Sequence, residues 1–386
     1  MAKGTIVKRG KNSWRLKFDI SPDPVSGNRR TKYATFKGGK REAENELARL
    51  IARANEGLNI APGKLLFGDF LIQWLENNIK PSVRANTYEG YEINIRKHIA
   101  PRLGNIPLKD LTALHIQEYY TQMAKAGRSD GKGGLSAQTI VHHHRRIKQA
   151  LKHALNARLI SYNPSDAVTP PKVTKDEIVV LSRQELLTML ESLSKLRIRN
   201  IVFLAASTGM RRSELLGLRW CDVDMDGGYL TVNQDLQQTN EHGLQFTAPK
   251  TKSSRRKIAI PSPTTAMLKK WKVKQDQEHL KLGAGKDTKR LVFTRRDGEP
   301  YSPRAISKEF ERLIAAMDIT QITLHGLRHT HISHLLRDNV NVKVVSARAG
   351  HASASITLDI YGHLIDNMDE AAAASVGRWF SANEDV

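Results

Sequence analysis

Helix-breaking residues constrain this chain more tightly than any other feature. Asn163-Pro164 and Pro170-Pro171-Lys172 fall between segments of helical period. No α-helix runs through such a stretch, because proline lacks an N–H, clashes with the preceding turn and pushes the residue before it out of the helical region. A softer break, Leu-Asn-Ile-Ala-Pro-Gly-Lys-Leu at 58–65, reads as a linker. The 386 residues are therefore expected to form three domains, 1–60, 64–168 and 175–386, the two larger long enough to bury real cores.

The first segment predicts a small three-stranded sheet backed by one helix. Ile6-Val7-Lys8-Arg9, Ser13 to Ile20 and Arg30 to Phe36 read as strands, with Gly27 and Asn28 as turn residues. From Lys40 to Ala54, the apolar positions Ala43, Leu47, Leu50, Ile51 and Ala54 share a helix face. The second segment predicts helices near Phe67 to Asn78, Thr87 to Ile99, Thr112 to Ala126 and Ser136 to Leu159, punctuated by Pro81, Pro101, Gly104 and Gly127 to Gly134. The third opens on the capping box Ser182-Arg183-Gln184-Glu185 and continues through an apolar helix, Ile198 to Ala206. Strand-like pieces follow at Tyr229 to Val232, Leu244 to Thr247 and Lys257 to Ile260, and the rest is mostly helical. The expected fold class is multidomain α+β: a sheet-plus-helix domain, a helical domain, and a mainly helical domain with a small antiparallel sheet.

The formal net charge is +22, from 61 Lys and Arg against 39 Asp and Glu. A field of that sign draws polyanions, nucleic acid first among them. An anionic membrane surface is the rival, but no polybasic amphipathic anchor, lipidation motif or long apolar span is present. Residues 1–60 hold 14 basic and 6 acidic side chains, and the strands are expected to present Lys8, Arg9, Arg15, Lys17, Arg29, Arg30 and Lys32 on a sheet face that could enter a DNA groove. On the helix from Ser136, Ile140, Ile147, Leu151, Leu155 and Leu159 make an apolar stripe, while Arg145, Arg146, Lys148, Lys152 and Arg158 supply a basic face. No Asp or Glu occurs from Gly131 to Ser165, so that face suits a duplex backbone, and His142, His143 and His144 read as extra polar contacts. The plain alternative in both places is a solvated basic surface. The single cysteine, Cys221, cannot form an internal disulfide and fits a reducing cytoplasm. The N-terminal Met-Ala-Lys-Gly lacks the apolar stretch of a signal peptide.

Chemistry concentrates in the third segment. Thr208-Gly209-Met210-Arg211-Arg212-Ser213-Glu214 is a glycine turn feeding a helix, with Arg211 at its first turn, where backbone N–H groups also favour an anion. By itself it is equally the start of a surface helix. His325-Gly326-Leu327-Arg328 puts His325 and Arg328 on one helix face; His325 and His329 could also be read as metal ligands, but no glutamate follows His325 as a zinc-hydrolase helix requires. Gly350-His351 and then Tyr361 complete the series. Arginine and histidine hold a phosphodiester's charge, and tyrosine can attack phosphorus once its high pKa is offset by nearby cations. The turn Pro249-Lys250-Thr251-Lys252-Ser253-Ser254-Arg255-Arg256-Lys257 is expected to join two strands as a basic hairpin tip, able to reach a DNA groove or a leaving oxygen. These groups suggest an enzyme that cuts DNA through a tyrosine and rejoins it, with no cofactor and no metal.

The runs at 208–220, 325–329 and 350–361, in this order, resemble the tyrosine recombinases, or phage integrases, and the match spans the whole chain. The layout is similar to integrases of temperate phages and conjugative transposons: an arm-binding domain, a helical core-binding domain and a catalytic domain. The resemblance implies that Arg211 and Arg328 clamp the scissile phosphate, His325 donates to it or assists proton transfer at the tyrosine, and His351 bonds a non-bridging oxygen. Tyr361 then forms a 3′-phosphotyrosine, and Lys250 protonates the leaving 5′ oxygen, with Lys252 and Lys257 as rivals. It further implies double-stranded DNA with core and arm sites as partner, a homotetramer on that DNA, and an excision factor or host DNA-bending protein as accessory. The alternatives are a type IB topoisomerase-like enzyme and a non-catalytic DNA-binding descendant of a recombinase.

Overall fold

The computed structural model describes residues 4–20, 30–55, 65–174, 177–249, 255–281, 283, 290–362 and 368–381. The chain divides into two compact units, Met1–Lys175 and Asp176–Val386.

The first unit holds two separate cores. β1 (Gly4–Gly10), β2 (Ser13–Ile20) and β3 (Arg30–Lys37) form an antiparallel sheet in that order, and α1 (Lys40–Asn55) covers one face, where Leu16 and Phe18 pack with Ala43 and Leu47. Side chains alternate along a strand, so Arg15 and Lys17 fall on the opposite, open face. Cross-strand register sets Val7 and Thr35 beside Arg15, and Thr5 and Tyr33 beside Lys17. The Arg15 guanidinium lies 4.3 Å from the centre of the Tyr33 ring. A single basic face does not form: Lys8 pairs with Trp14 and Lys32 with Phe18, in register with the covered side. Arg30 pairs with Ile20, two residues along the strand from Lys32, and Arg29 lies outside the described residues.

The second core is a helical bundle. α2 (Phe67–Trp74) and α3 (Ala85–Glu92) run on into π-wound segments, Leu75–Ile79 and Ile93–Ile99, followed by α4 (Ala100–Leu103), α5 (Ala113–Ala126) and α6 (Ala137–Asn156). Thr112 and His115 close a reciprocal cap on α5, and Ser136 caps α6. The histidine run departs from expectation. His143 is fully buried, its Nδ1 2.9 Å from the Tyr119 hydroxyl, and His144 meets the Tyr120 hydroxyl at the same distance. Position 143 follows Ile140 by three residues and precedes Ile147 by four, which puts it on the apolar stripe itself. Arg146 also turns inward: its guanidinium lies 3.5 Å from the Tyr91 ring centre. Lys148 pairs with Asp166, just past the acid-free run, while Arg145 and Lys152 stay exposed.

The second unit begins with α7 (Arg183–Ser192), α8 (Ile198–Thr208) and α9 (Arg212–Leu216). β4 (Val223–Asp224), β5 (Tyr229–Thr231), β6 (Asp235–Thr239), β7 (Gly243–Thr247) and β8 (Lys257–Ala259) follow. Then come α10 (Ser262–Lys281), α11 (Pro303–Ala315), α12 (Gly326–Arg337), α13 (Val342–Ala349), α14 (Ala354–Tyr361) and α15 (Met368–Ser381). The expected hairpin between β7 and β8 does not form: β7 pairs with β6, and β8 pairs with β5 in a different sheet. Residues 250–254 of the basic run lie outside the described residues. The buried helix α8, with Ile201, Val202 and Leu204, organises the main core together with Leu216, Trp220, Phe293, Phe310 and Leu327. On α15, Trp379 and Phe380 are 70% and 75% exposed. Among the described residues, no helix is long and apolar enough to cross a membrane.

Candidate active site

Two left-handed glycines set the frame. α8 ends at Gly209 (φ +65°) and α13 at Gly350 (φ +70°), a conformation that carries little strain only without a side chain. A Cβ on Gly209 would come within 2.6 Å of the His331 ring, and one on Gly350 within 2.7 Å of the Arg256 guanidinium. Each glycine carbonyl accepts a hydrogen bond from an arginine that belongs to another motif. Arg328 Nη1 donates to Gly209 O at 2.8 Å, and Arg211 Nη2 donates to Gly350 O at 2.7 Å. The three sequence runs are thereby tied into one site.

Arg211 sits at the N-cap of α9. Its Nη1 donates to Glu214 Oε1 (2.7 Å) and its backbone N–H to Oε2 (2.9 Å). Glu214, 2% exposed, also binds Arg256, which reaches it through Nη1 and Nη2 at 3.0 and 2.8 Å and donates Nε to Arg348 O. Burial alone would raise the Glu214 carboxyl, but Arg256 and Arg211 outweigh it and hold it below the usual range. Arg328 is 3% exposed and forms no ion pair among the described residues. Burial first, then Arg211, draws its guanidinium down to about 10, so it stays charged at neutral pH. Three guanidiniums thus face one carboxylate, and among the described residues only two of them pair with it. Such a hole is built for an anion.

Tyr361 ends α14, 1% exposed, among Ile332, Leu336, Val345 and Ala349. Its hydroxyl lies 2.6 Å from His329 Nδ1. The His329 ring stands edge-on to that of His325, with centres 5.0 Å apart. His351 Nδ1 meets Thr357 Oγ1 at 2.8 Å. Burial pushes the Tyr361 phenol up to about 12, against the pull of Arg328. Desolvation, with His329, Arg328 and Arg211 adding to it, holds His325 down to about 4; burial, Arg328 and Arg211 do the same to His351. Both imidazoles are therefore neutral at pH 7, each with one N–H to donate.

Residues 173–368 match the profile of the phage integrase family, and residues 66–124 that of the phage integrase N-terminal SAM-like domain. The chain belongs to the phage integrase family. It is 28% identical to a XerC-like tyrosine recombinase of Caldanaerobacter subterraneus subsp. tengcongensis, over 98% of this chain and all of that one. Against the ICEBs1 integrase of Bacillus subtilis it is 23% identical, over 96% of this chain and 98% of that one. Among solved structures, the Tn1549 transposon integrase in complex with transposon right end DNA shares the fold, with a TM-score of 0.67 at 22% identity over 80% of this chain and 99% of that one. The protein is a site-specific tyrosine recombinase that breaks and rejoins DNA strands.

Within this integrase, the structure brings together Arg211, His325, Arg328, His351 and Tyr361 through the contacts above. Arg212, the neighbour that could compete with Arg211, points away and donates to Ser307 Oγ on α11 at 2.7 Å. Lys250 and its rival Lys252 lie outside the described residues. Lys257 is described, and its Nζ lies 4.0 Å from the centre of the Tyr229 ring. Sequence reasoning missed two participants. Arg256 stood in the basic turn as one charge among several, and only its burial against Glu214 distinguishes it. His329 carried a signal, its four-residue spacing from His325, but that spacing was read for metal.

Proposed function

We propose that Arg211 and Arg328 clamp the scissile phosphate, with His325 and His351 donating hydrogen bonds to its oxygens, while Tyr361 attacks and forms a 3′-phosphotyrosine. The carrying observation is the buried Arg328 guanidinium, without an ion pair among the described residues, within electrostatic range of both Arg211 and the Tyr361 phenol. Positioning and charge stabilisation are most of what phosphoryl transfer requires, and neither needs a metal or a cofactor here. The covalent link conserves the phosphodiester energy, so a 5′-hydroxyl from another duplex can reverse the attack and exchange strands. A lysine of the 250–257 segment, Lys250 foremost, protonates the leaving 5′ oxygen.

In this reading residues 1–60 bind arm sites through the open sheet face with Arg15 and Lys17, residues 64–168 bind the core site with Arg145 and Lys152 on the exposed face of α6, and residues 175–386 carry the chemistry. Double-stranded DNA is the partner, four protomers assemble on two core sites, and an excision factor or host bending protein assists excision from a mobile element. A lambda integrase tetramer bound to a Holliday junction shares the fold, with a TM-score of 0.54, and supports the fourfold assembly. The exposed Trp379 and Phe380 suit docking on a neighbouring protomer.

The test is covalent trapping. Full-length protein selects duplexes from random-sequence DNA by forming adducts in EDTA. The selected duplexes are then nicked beside the cleavage position, so that the cut strand diffuses away. A DNA–peptide adduct mapped to Tyr361 by mass spectrometry is expected. An adduct elsewhere, or none on DNA that is demonstrably bound, would overturn the assignment.

A further inference from the structure

His329 is not assigned a role by the motifs, yet it makes the one hydrogen bond of the Tyr361 hydroxyl among the described residues. We propose that His329 is the general base of the cleavage step, accepting the phenolic proton of Tyr361 on Nδ1 as the phenol oxygen attacks phosphorus. This rests on the reading of Tyr361 as nucleophile. The O–H bond breaks, an N–H bond forms at His329, and the oxygen's electron pair makes the bond to phosphorus. The leaving 5′ oxygen takes the P–O pair and a proton from the general acid. On rejoining, the imidazolium returns its proton to Tyr361.

Geometry comes first. At 2.6 Å the two heavy atoms are already at proton-transfer distance, with no substrate needed to bring them there. Tyr361 is 1% exposed, so bulk water has poor access to take the proton instead. His325, the other histidine at hand, is on the exposed side of the pair and makes no hydrogen bond to Tyr361; its ring stands edge-on against His329 and limits where that ring can turn. Both rings project from the first turns of α12, whose Leu327, Arg328 and Ile332 are buried, so the base sits on a rigid element. The groups that face His329 are Arg328 and His325 on its own helix, Tyr361 on α14, and His351 at the turn between α13 and α14. Burial and Arg328 hold the imidazole below its ordinary range, which keeps it neutral and able to accept.

The test is single-turnover adduct formation on the nicked duplex obtained by trapping, followed across pH for wild type, His329→Ala, His329→Asn, His325→Ala and Tyr361→Phe. The Asn Oδ1 can replace Nδ1 as hydrogen-bond acceptor but takes no proton. We expect both His329 variants to be slowed about 100-fold or more at pH 7. Their deficit should shrink as pH rises and the phenol ionises unaided, and it should shrink again when a fluorinated tyrosine of lower pKa replaces Tyr361. His325→Ala should show neither recovery. If His329→Asn cleaves like wild type, the contact only positions Tyr361 and the proposal fails. A deficit constant across pH and untouched by fluorination also overturns it. Should His329→Ala lose its thermal transition, His329→Asn alone decides. An adduct formed by Tyr361→Phe would instead remove the nucleophile reading, and with it the role of His329.

Discussion

A tyrosine hydroxyl set against a histidine Nδ1 recurs in both units of the molecule. In the helical bundle, Tyr119 meets His143 Nδ1 at 2.9 Å; in the second unit, Tyr361 meets His329 Nδ1 at 2.6 Å. Both tyrosines are 1% exposed. Burial pushes both phenols up, and burial also holds both histidines below their ordinary range. What differs is the company. His143 stacks against Tyr119 and lies beside His98 inside an apolar core, whereas His329 adjoins the buried Arg328 and the more exposed ring of His325, in the site that includes the partly open Arg211. A tyrosine–histidine bond is therefore packing by default. At Tyr361 the same bond adjoins Arg328, a buried cation with no ion pair among the described residues, which is where an anion would be received.

The sharpest way to break the comparison is to remove each hydroxyl. Tyr361→Phe should abolish the covalent adduct on a denaturing gel while leaving DNA binding intact; Tyr119→Phe should leave the adduct in place. Next in size is the charge around the Tyr361–His329 pair. Glu214→Ala strands the buried Arg256 and should cost ~3–5 kcal/mol in chemical denaturation, the range for breaking a buried ion pair. Tyr119→Phe should then cost ~1–3 kcal/mol, since it leaves His143 buried without its partner. Acid separates the pairs more gently. His143 is held at about 4 when folded against an ordinary value near 6.5, so below pH 6.5 the unfolded chain binds the extra proton. Stability should be complete above that pH and fall as pH drops towards 4, and His143→Phe should flatten this slope in urea melts. The smallest effect belongs to the surface: Asp166→Asn, which removes the exposed Lys148 pair, should change stability by ~0.5 kcal/mol or less.

Much of this was legible in the sequence, for physical reasons that differ by element. Gly209 and Gly350 announce themselves because only a left-handed turn makes glycine worth its entropy there, and each fixes the residue beside it. The capping box at Ser182 is local chemistry and reads directly. Strand pairing was not legible. β6, Asp-Leu-Gln-Gln-Thr, has too little apolar alternation to declare itself, and without it β7 was assigned the wrong neighbour. His143 and Arg146 were misjudged because charge was read by residue type, although helical phase places His143 on the stripe. The bond from His329 to Tyr361 spans 32 residues and exists only once α12 and α14 have packed.

The two glycine carbonyls carry a consequence for how such a chain can change. Arg328 is held by the turn of the first motif, and Arg211 by the turn of the last. The first and last motifs each supply a socket for an arginine made elsewhere, and neither is a self-contained cassette. A chimera that imports one run from a relative inherits an arginine aimed at a carbonyl whose position another gene fragment decides. Motifs far apart along the chain must then travel together, and recombination between them is a hazard that the enzyme's own architecture imposes on its lineage.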